Sequence, residues 1–432
     1  MAKLNSDDQQ TRAHLKTLGE VLLLLLIIYA FLASIELMGV SVRLLGREFA
    51  DNLIASTRNP FIGLFVGLLA TAILQSSSII TSTLVVLTGA AAFGPDGDPE
   101  VISQAIPIIM GANIGTTITS TIVSLGHITH VSEYRKAIAA ATVHDFFNIF
   151  TVLIVFPLEL LFGILSKPAV ALAQLLYVNP DGGGTLNGVR FVKAAVSPIT
   201  NGVVDAVSWV TGPTAGVLPY VTLGVALVTL FLALRGITVY FKRVVVGRIR
   251  QRMGTVLFGH PFKSLLWGAG ITAAFQSSSA TTSLIVPLVA TKRISLRRAF
   301  PFILGANVGT TTTALLAALL APGAFPILGF AIALGHVLFN LIGVLIFFPF
   351  ARIRNIPVNV ARHLGRVTMS RRFVGVAYLA VVFFLVPFVL IIATTDIQLK
   401  KDGFRPIPEQ QALPDERRLP NESPIRTGHS RR

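Results

Sequence analysis

The sequence contains no cysteine and few charged residues. Without cysteine the chain forms no disulfide, no iron–sulfur cluster and no cysteine-ligated zinc site. Charged residues make up 13% of its 432 residues, whereas soluble domains are about one quarter charged. Hydrophobic residues make up 53% and occur in long uncharged runs. The scarcity of charge therefore excludes a soluble globular protein and predicts an all-α polytopic membrane protein.

Acidic residues are particularly scarce, with 20 Asp and Glu against 36 Lys and Arg. The connections 237–263, 292–298 and 351–372 carry basic residues and no acidic ones, whereas the connection 91–103 carries acidic residues only. Short basic connections between spans lie in the cytoplasm. The positive charge is therefore predicted to orient the chain in the plasma membrane, and no nucleic-acid partner is expected.

Seven apolar segments reach the length of about 20 residues that a membrane-spanning helix needs. They are 21–40, 104–123, 141–163, 214–235, 299–320, 325–350 and 374–393. The polar residues 1–20 are predicted to form a cytoplasmic N-terminal arm, not a signal peptide. Because seven spans separate the two ends, the polar tail 394–432, predicted to be disordered, is expected on the outer face.

Two further uncharged stretches, 59–95 and 264–291, do not fit a single span. Each is interrupted at its middle by a Gln-Ser-Ser-Ser sequence, Gln75–Ser78 in the first and Gln276–Ser279 in the second. Two half-helices meeting at such a polar tip would form a re-entrant hairpin. Non-helical backbone at membrane depth is tolerated where it lines a cavity, so each tip is predicted to face a water-filled site.

The two halves of the chain repeat the same motifs in the same order. Gly-Ala-Asn-x-Gly-Thr-Thr occurs at 111–117 and at 305–311, and the pair His144 and Asn148 matches His336 and Asn340. The predicted spans give the two copies opposite orientations. Inverted repeats, here 59–163 and 259–350, are typical of secondary transporters, whose binding site lies at the midplane between the repeats.

The other segments each have a predicted role. The first span with its connection occupies 21–58, and an outer loop occupies 164–213. A connecting span with its basic loop occupies 214–258. A basic cytoplasmic segment occupies 351–372, and the last span occupies 373–393.

The two tips offer neutral hydrogen-bond donors. Their hydroxyl groups, together with the free N–H groups at the start of the following half-helices, suit a small tetrahedral oxyanion. The predicted anion ligands are Ser76, Ser77, Ser78, Ser277, Ser278 and Ser279. Oxygen ligands without a carboxylate cluster suit a monovalent cation better than calcium. The candidates are Asn113, Thr116, Thr119, Asn307, Thr310 and Thr313.

Structural roles remain open for several of these residues. Ser-rich stretches also serve in helix–helix contacts within membranes, and the Gly-Ala-Asn motif is also typical of a tight crossing of small residues. Asp145, next to His144, could accept a structural hydrogen bond or take part in ion or proton binding.

The duplicated motifs resemble those of the type II sodium–phosphate cotransporters. The resemblance rests on the paired Gln-Ser-Ser-Ser sequences, both Gly-Ala-Asn-x-Gly-Thr-Thr motifs and the run Ala-Thr-Val-His-Asp-Phe-Phe-Asn at 141–148. It implies symport of inorganic phosphate with sodium by alternating access, with phosphate between the two serine clusters. It also implies sodium near Gln276, Thr310 and Thr313, and near their counterparts Gln75, Asn113 and Thr116. The cysteine-free outer loop suggests a bacterial member in the inner membrane.

Two other functions stay open on the sequence. One is sodium-coupled transport of another small oxyanion, and the other is a phosphate-binding membrane sensor or channel. An enzyme is not expected, because the sequence offers no nucleophile–base pair and no metal-ligand set. No cofactor is expected either, with sodium serving only as the coupling ion.

Overall fold

The computed structural model describes residues 2–57, 59–89, 100–176, 187–212, 216–241, 243, 257–320 and 326–401. Part of the acidic connection 91–103, part of the outer loop and most of the basic loop in 237–263 lie outside these residues. So do residues 402–432 of the tail. Nearly all of the described residues are helical.

The first half of the chain holds nine helices among the described residues. They are α1 (Ala2–Thr57), α2 (Pro60–Leu74), α3 (Ser77–Gly89), α4 (Glu100–Gly115), α5 (Ile118–Leu125), α6 (Val131–Phe162), α7 (Ser166–Leu176), α8 (Asn187–Thr211) and α9 (Leu218–Phe241).

The second half holds nine further helices among the described residues. Its described helices are α10 (Pro261–Phe275), α11 (Ser278–Ser283), α12 (Ile285–Ala290), α13 (Leu296–Gly309), α14 (Thr311–Leu320), α15 (Pro326–Phe347), α16 (Ala351–Ser370), α17 (Phe373–Ala380) and α18 (Val386–Lys401). A π-helical turn, Val381–Leu385, joins α17 to α18.

In the described part of the chain, seven helical segments are long and apolar enough to span a membrane, as the sequence predicted. They are Thr17–Leu45, Val101–Leu125, Val131–Phe162, Leu218–Tyr240, Leu296–Leu320, Pro326–Phe347 and Phe373–Thr394. The chain is an all-helical, multi-pass membrane protein.

Helix α6 begins at Val131, well before the predicted start at 141. The added turns are stabilised by contacts with α16. Gly365 of α16 lies so close to α6 that a Cβ atom there would be 2.3 Å from the carbonyl oxygen of Arg135. The helix therefore continues past the apolar segment because its polar turns have a packing partner.

Two connections are more ordered than the sequence indicated. The predicted outer loop 164–213 contains α7 and α8, and the first residues of the predicted disordered tail continue α18 to Lys401. Helix α8 is amphipathic and packs against α1, where the Tyr29 hydroxyl donates to the carbonyl oxygen of Ala195 at 2.9 Å. This segment is helical because its apolar residues recur with the period of a helix and form one face, although they do not form a long apolar run.

Each half contains a pair of short apolar helices that meet at a Gln-Ser step. Helix α2 ends at Gln75 and α10 ends at Gln276, and both glutamines have left-handed backbone conformations, with φ of 53° and 52°. Both first helices also start alike, with proline at the first position after a capping Asn59 or His260. Left-handed residues end helices, so the first helix of each pair ends at its glutamine.

The glycines of the Gly-Ala-Asn motif lie at tight helix crossings. Helix α4 packs against α2, and α13 packs against α10. A Cβ atom at Gly111 would lie 1.8 Å from the carbonyl oxygen of Leu64, and one at Gly305 would lie 1.8 Å from that of Leu265. The motif therefore has a packing role in both halves.

The two halves are interlocked. We call α2–α6 the first unit and α10–α15 the second unit. Helix α3 of the first unit packs against α15 of the second, and α12 of the second packs against α6 of the first. The largest buried apolar cluster draws on both units and on α1 and α9, and it includes Ile35, Ile106 and Phe339.

Candidate functional site

The two Gln-Ser-Ser-Ser segments, here called the tips, border one cavity of about 400 Å³. Part of α9 completes its wall. The polar residues that line it are Gln75, Ser76, Thr119, Arg235, Thr238, Gln276, Ser277, Ser279 and Ser283. Among the described residues no aspartate or glutamate lines this cavity, so the polar surface they form consists of neutral groups and one guanidinium.

The second tip is ordered by its own helix cap. Ser277 has an extended backbone, and its hydroxyl oxygen accepts a hydrogen bond from the backbone N–H of Ala280 at 3.2 Å. The following helix therefore starts at the cavity, and its free N–H groups are concentrated there. The positive end of the helix dipole favours a bound anion.

Serines deeper in the tips join the two units. The Ser78 hydroxyl donates to the carbonyl oxygen of Gln276 at 3.2 Å and to the Thr313 hydroxyl at 3.4 Å. The Ser279 hydroxyl donates to the carbonyl oxygen of Thr116 at 3.0 Å. Each tip is thus held by backbone of the other unit.

Besides Thr313, two more of the predicted cation ligands contact a tip serine or the backbone. The Ser278 hydroxyl donates to Thr310 Oγ1 at 3.3 Å. Thr116 Oγ1 donates to the carbonyl oxygen of Ala112 at 2.9 Å. The helices are interrupted by turns at Thr116 and at Thr310, within the two copies of the Gly-Ala-Asn motif. These threonines lie directly behind the tips and not on the cavity wall.

Two oxygen atoms at the cavity have no hydrogen-bond partner among the described residues. They are Oγ1 of Thr119 and Oε1 of Gln276, and both are buried. The amide nitrogen of Gln276 donates to the carbonyl oxygen of Ala273, which fixes the amide plane. A buried oxygen without a donor is costly, and an adjacent cation would satisfy such an atom.

The predicted ligands Asn113 and Asn307 belong to a separate buried network. Asn307 Oδ1 is 2.9 Å from His144 Nε2, and Asn113 Oδ1 is 3.4 Å from His336 Nε2. Asn307 also donates to Asn148 Oδ1 at 2.7 Å. Each asparagine therefore pairs with the histidine of the opposite unit, and neither lines the cavity.

Asp145 is fully buried and hydrogen-bonded to two neighbouring helices. Its Oδ2 accepts from the Tyr378 hydroxyl at 3.0 Å and from the Thr121 hydroxyl at 3.4 Å. Its Oδ1 has no partner among the described residues. The hydrogen bonds tie α6 to the last span.

The cavity thus gathers part of the predicted ligand set and adds three polar residues. Ser76, Ser277 and Ser279 line it, whereas Ser77, Ser78 and Ser278 are buried outside its wall. The predicted ligands Gln75, Thr119 and Gln276 line it as well. Arg235, Thr238 and Ser283 are the polar additions that the sequence did not indicate.

Arg235 ends the predicted span 214–235, and in the sequence it is one more basic residue beside a basic loop. Its neighbour Thr238 shows why it reaches the cavity, because the Thr238 hydroxyl donates to the carbonyl oxygen of Phe275 at 3.2 Å. This contact holds the end of α9 against the second tip. The position of Arg235 at the cavity therefore follows from helix packing and not from the sequence pattern.

Neutral oxygens are the available cation ligands in this region. Among the residues that the structure covers, no group of three or more His, Asp and Glu side chains could hold a metal ion. A hard monovalent ion accepts hydroxyl, amide and carbonyl oxygens.

Comparisons with known proteins relate both tips to one family. The sequence profile of the family described as Na⁺/Pi-cotransporter matches residues 30–167 and 229–380. The sodium-dependent phosphate transport protein 2B of Homo sapiens is 30% identical over 452 residues, covering 86% of this chain and 64% of that relative. The protein 2A of Rattus norvegicus is 33% identical over 434 residues, covering 85% of this chain and 66% of that relative. The chain thus spans slightly less than two thirds of these relatives, and no solved structure matches it.

Proposed function

Because this chain belongs to the Na⁺/Pi-cotransporter family, we propose that it carries inorganic phosphate across the plasma membrane together with sodium. The observation that supports this most is the cavity between the two tips. Its described lining residues combine neutral donors from both units with one guanidinium and include no carboxylate. These are the properties that a phosphate site requires.

Phosphate is held by the serine hydroxyls on the cavity wall and by the N–H groups at the start of α11. Ser76 approaches from the first tip, and Ser277 and Ser279 approach from the second. Arg235 supplies a charge-assisted contact at the cavity edge. Ser77, Ser78 and Ser278 lie behind the cavity wall. Replacing them therefore alters the shape of the tips and removes no direct phosphate ligand.

Sodium binds beside the phosphate, at the oxygens that lack partners. Thr119 Oγ1 and Gln276 Oε1 are the first ligands, and Gln75 also lines the cavity. Thr310 and Thr313 lie behind the tips, where their hydroxyl groups contact Ser278 and Ser78. Thr116 supplies its carbonyl oxygen near Ser279. Asn113 and Asn307 keep these segments in place through their histidine partners, a role different from that of direct ligands.

The coupling of phosphate binding to sodium binding follows from charge. A cavity of neutral donors with one exposed arginine binds a multivalent anion weakly. A sodium ion next to the cavity adds positive charge and orders the Gln276 side chain. Because linkage is reciprocal, phosphate must then raise sodium affinity by the same factor.

Transport proceeds by alternating access between two inverted repeats, each with a re-entrant hairpin. The paired left-handed glutamines support the hairpins, and the reciprocal packing of α3 on α15 and of α12 on α6 supports a two-fold relation between the units. The basic connections support a cytoplasmic amino terminus, and with seven spans the tail after 394 is then expected outside. The two units then move against each other around the cavity.

Labelled phosphate uptake into proteoliposomes tests this function. An inward sodium gradient should drive uptake, whereas an equal potassium or proton gradient should not. Competition by sulfate and arsenate measures selectivity among oxyanions. Uptake that never exceeds the outside concentration under a sodium gradient would indicate a channel, and phosphate binding without uptake would indicate a sensor.

A further inference from the structure

A second polar cavity, of about 820 Å³, lies away from the tips and is strongly basic. Its wall is formed by the first turns of α6, the connection between α12 and α13, and one face of α16. Five cationic side chains line it, namely Arg135, Lys136, Lys292, Arg362 and Arg366. We call this space the basic cavity.

Few carboxylates lie near these charges. Among the described residues no Asp or Glu lines the basic cavity, and none of the five cations has an ion-pair partner. Glu133 of α6 offsets part of the Lys136 charge from outside the wall. The nearest acidic residue in the sequence of α6, Glu133, has its carboxylate 3.0 Å from His127 Nδ1. Five like charges around one concavity repel each other, so an anion in the cavity would stabilise the arrangement.

Like charge also lies close to Arg362. Burial lowers the pKa of its guanidinium, and the nearby charge of Arg297, which does not line the cavity, lowers the pKa further. Arg135 and Lys136 are also partly buried. Charges that are partly removed from water interact more strongly with a bound anion than fully exposed charges do.

The position of the basic cavity brings it to the level of lipid headgroups. Lys292 and Ser295 lie in the basic connection 292–298, and Arg135 lies just before the apolar part of α6. Helix α16 is amphipathic and buries Val358 and Ala361 against its neighbours. Amphipathic basic helices beside membrane spans lie at the interface.

Chemistry and size define the ligand. Arginine side chains present paired N–H donors that match phosphate oxygens. The volume is about twice that of the cavity at the tips and falls within the range of about 300–1,000 Å³ typical of small-molecule sites. Asn359 and Ser295 add neutral hydrogen-bonding groups to the wall.

We propose that the basic cavity is a binding site for an anion with more than one phosphate group, supplied either by a lipid headgroup or by a soluble phosphorylated molecule. The basic cavity is separate from the transport cavity. Anion binding in it requires neither sodium nor transport. The basic cavity joins α6 of the first unit to the α12–α13 connection of the second, so the bound anion bridges the two units.

The test uses the full chain, purified and placed in phosphatidylcholine nanodiscs in potassium buffer. One arm adds cardiolipin to the nanodiscs, and the other adds inorganic pyrophosphate to the solution. Native mass spectrometry counts bound molecules, and the melting temperature reports stabilisation. The two arms distinguish the lipid source from the soluble source.

The pocket variant is the double substitution Arg362→Gln and Arg366→Gln. Its matched control, Arg352→Gln with Arg371→Gln, removes the same charge from α16 and its C-terminal cap, away from the cavity wall. The pocket variant should bind the effective probe at least about tenfold more weakly, since each lost contact is charge-assisted. The control should bind like the wild type. Lys292→Asn provides a milder pocket variant, because asparagine tolerates the left-handed backbone found there at φ 62°.

Weaker binding in the pocket variants, with the control unaffected, supports the proposal for whichever probe shows it. Two results would overturn it. One is that neither probe binds the wild-type chain. The other is that the pocket variants and the control bind equally well or lose binding equally.

Discussion

Ser277 offers the sharpest test of the phosphate site, because its hydroxyl has two separable roles. It lines the cavity, and its oxygen caps the following helix by accepting from the N–H of Ala280 at 3.2 Å. Glycine caps a helix nearly as well as serine does, whereas alanine costs about 1 kcal/mol as a cap. Ser277→Gly therefore removes mainly the ligand, and Ser277→Ala removes both the ligand and the cap.

The expected effect follows from the charge of the bound ion. A hydrogen bond to a charged group contributes about 1.5–3 kcal/mol, and about 1.4 kcal/mol corresponds to a tenfold change in affinity. Ser277→Gly should therefore raise the phosphate concentration for half-maximal uptake at least about tenfold while the melting temperature stays close to that of the wild type. Ser277→Ala should raise it further and should also lower the melting temperature.

The measurement is phosphate-dependent uptake at saturating sodium, together with thermal unfolding of each purified variant. Asn59→Ala is the matched control, because Asn59 caps α2 by accepting from the N–H of Phe61 at 3.0 Å and does not line the cavity. The control should lose stability and keep phosphate affinity. Unchanged phosphate affinity in Ser277→Gly would refute the assignment of this tip as the anion site.

Four further expectations can be checked in the same system. Arg235→Gln should weaken phosphate affinity about tenfold, whereas Arg235→Lys should keep most of the affinity, since the contact is charge-assisted. The phosphate concentration for half-maximal uptake measures both effects. Equal losses in the two variants would contradict a role for the Arg235 charge. Thr119→Val keeps the shape and should raise the sodium concentration for half-maximal uptake more than the phosphate concentration; intact sodium dependence would remove Thr119 from the cation site. Gly305→Ala should destabilise the protein by about 1–3 kcal/mol or more, because the new Cβ would lie 1.8 Å from the carbonyl oxygen of Leu265. Gly270→Ala is the control, because a Cβ there has no neighbouring atom within 4 Å, and it should not destabilise the protein. Thermal unfolding of the two variants compares them. A single cysteine in place of Pro420 should react with a membrane-impermeant maleimide in intact cells, and reaction only after permeabilisation would show that the span count is wrong.

Local properties of the chain predicted much of the fold. Long uncharged runs gave all seven spans, and the two Gln-Ser steps marked where pairs of short helices meet. Both signals are local, because a span needs only length and apolarity, and a helix ends where its backbone turns left-handed at Gln75 or Gln276. The amphipathic helix α8 was missed because its apolar residues are spaced and never form a run.

Contacts between distant segments were not predictable in this way. The pairing of Asn113 with His336 and of Asn307 with His144 joins residues more than 160 positions apart. The approach of Arg235 to the second tip likewise depends on how α9 packs. Composition and spacing specify which residues carry hydrogen-bonding groups, whereas the packing of the two units decides which of them share a cavity.

The coupling of phosphate to sodium is tested most directly by the direction of net flow. Proteoliposomes are loaded with labelled phosphate at the same concentration inside and outside, and a sodium gradient is then imposed with the membrane potential clamped. An inward gradient should concentrate phosphate inside, and an outward gradient should empty the vesicles below the outside concentration. Net flow that ignores the sign of the sodium gradient would contradict sodium–phosphate symport by this chain.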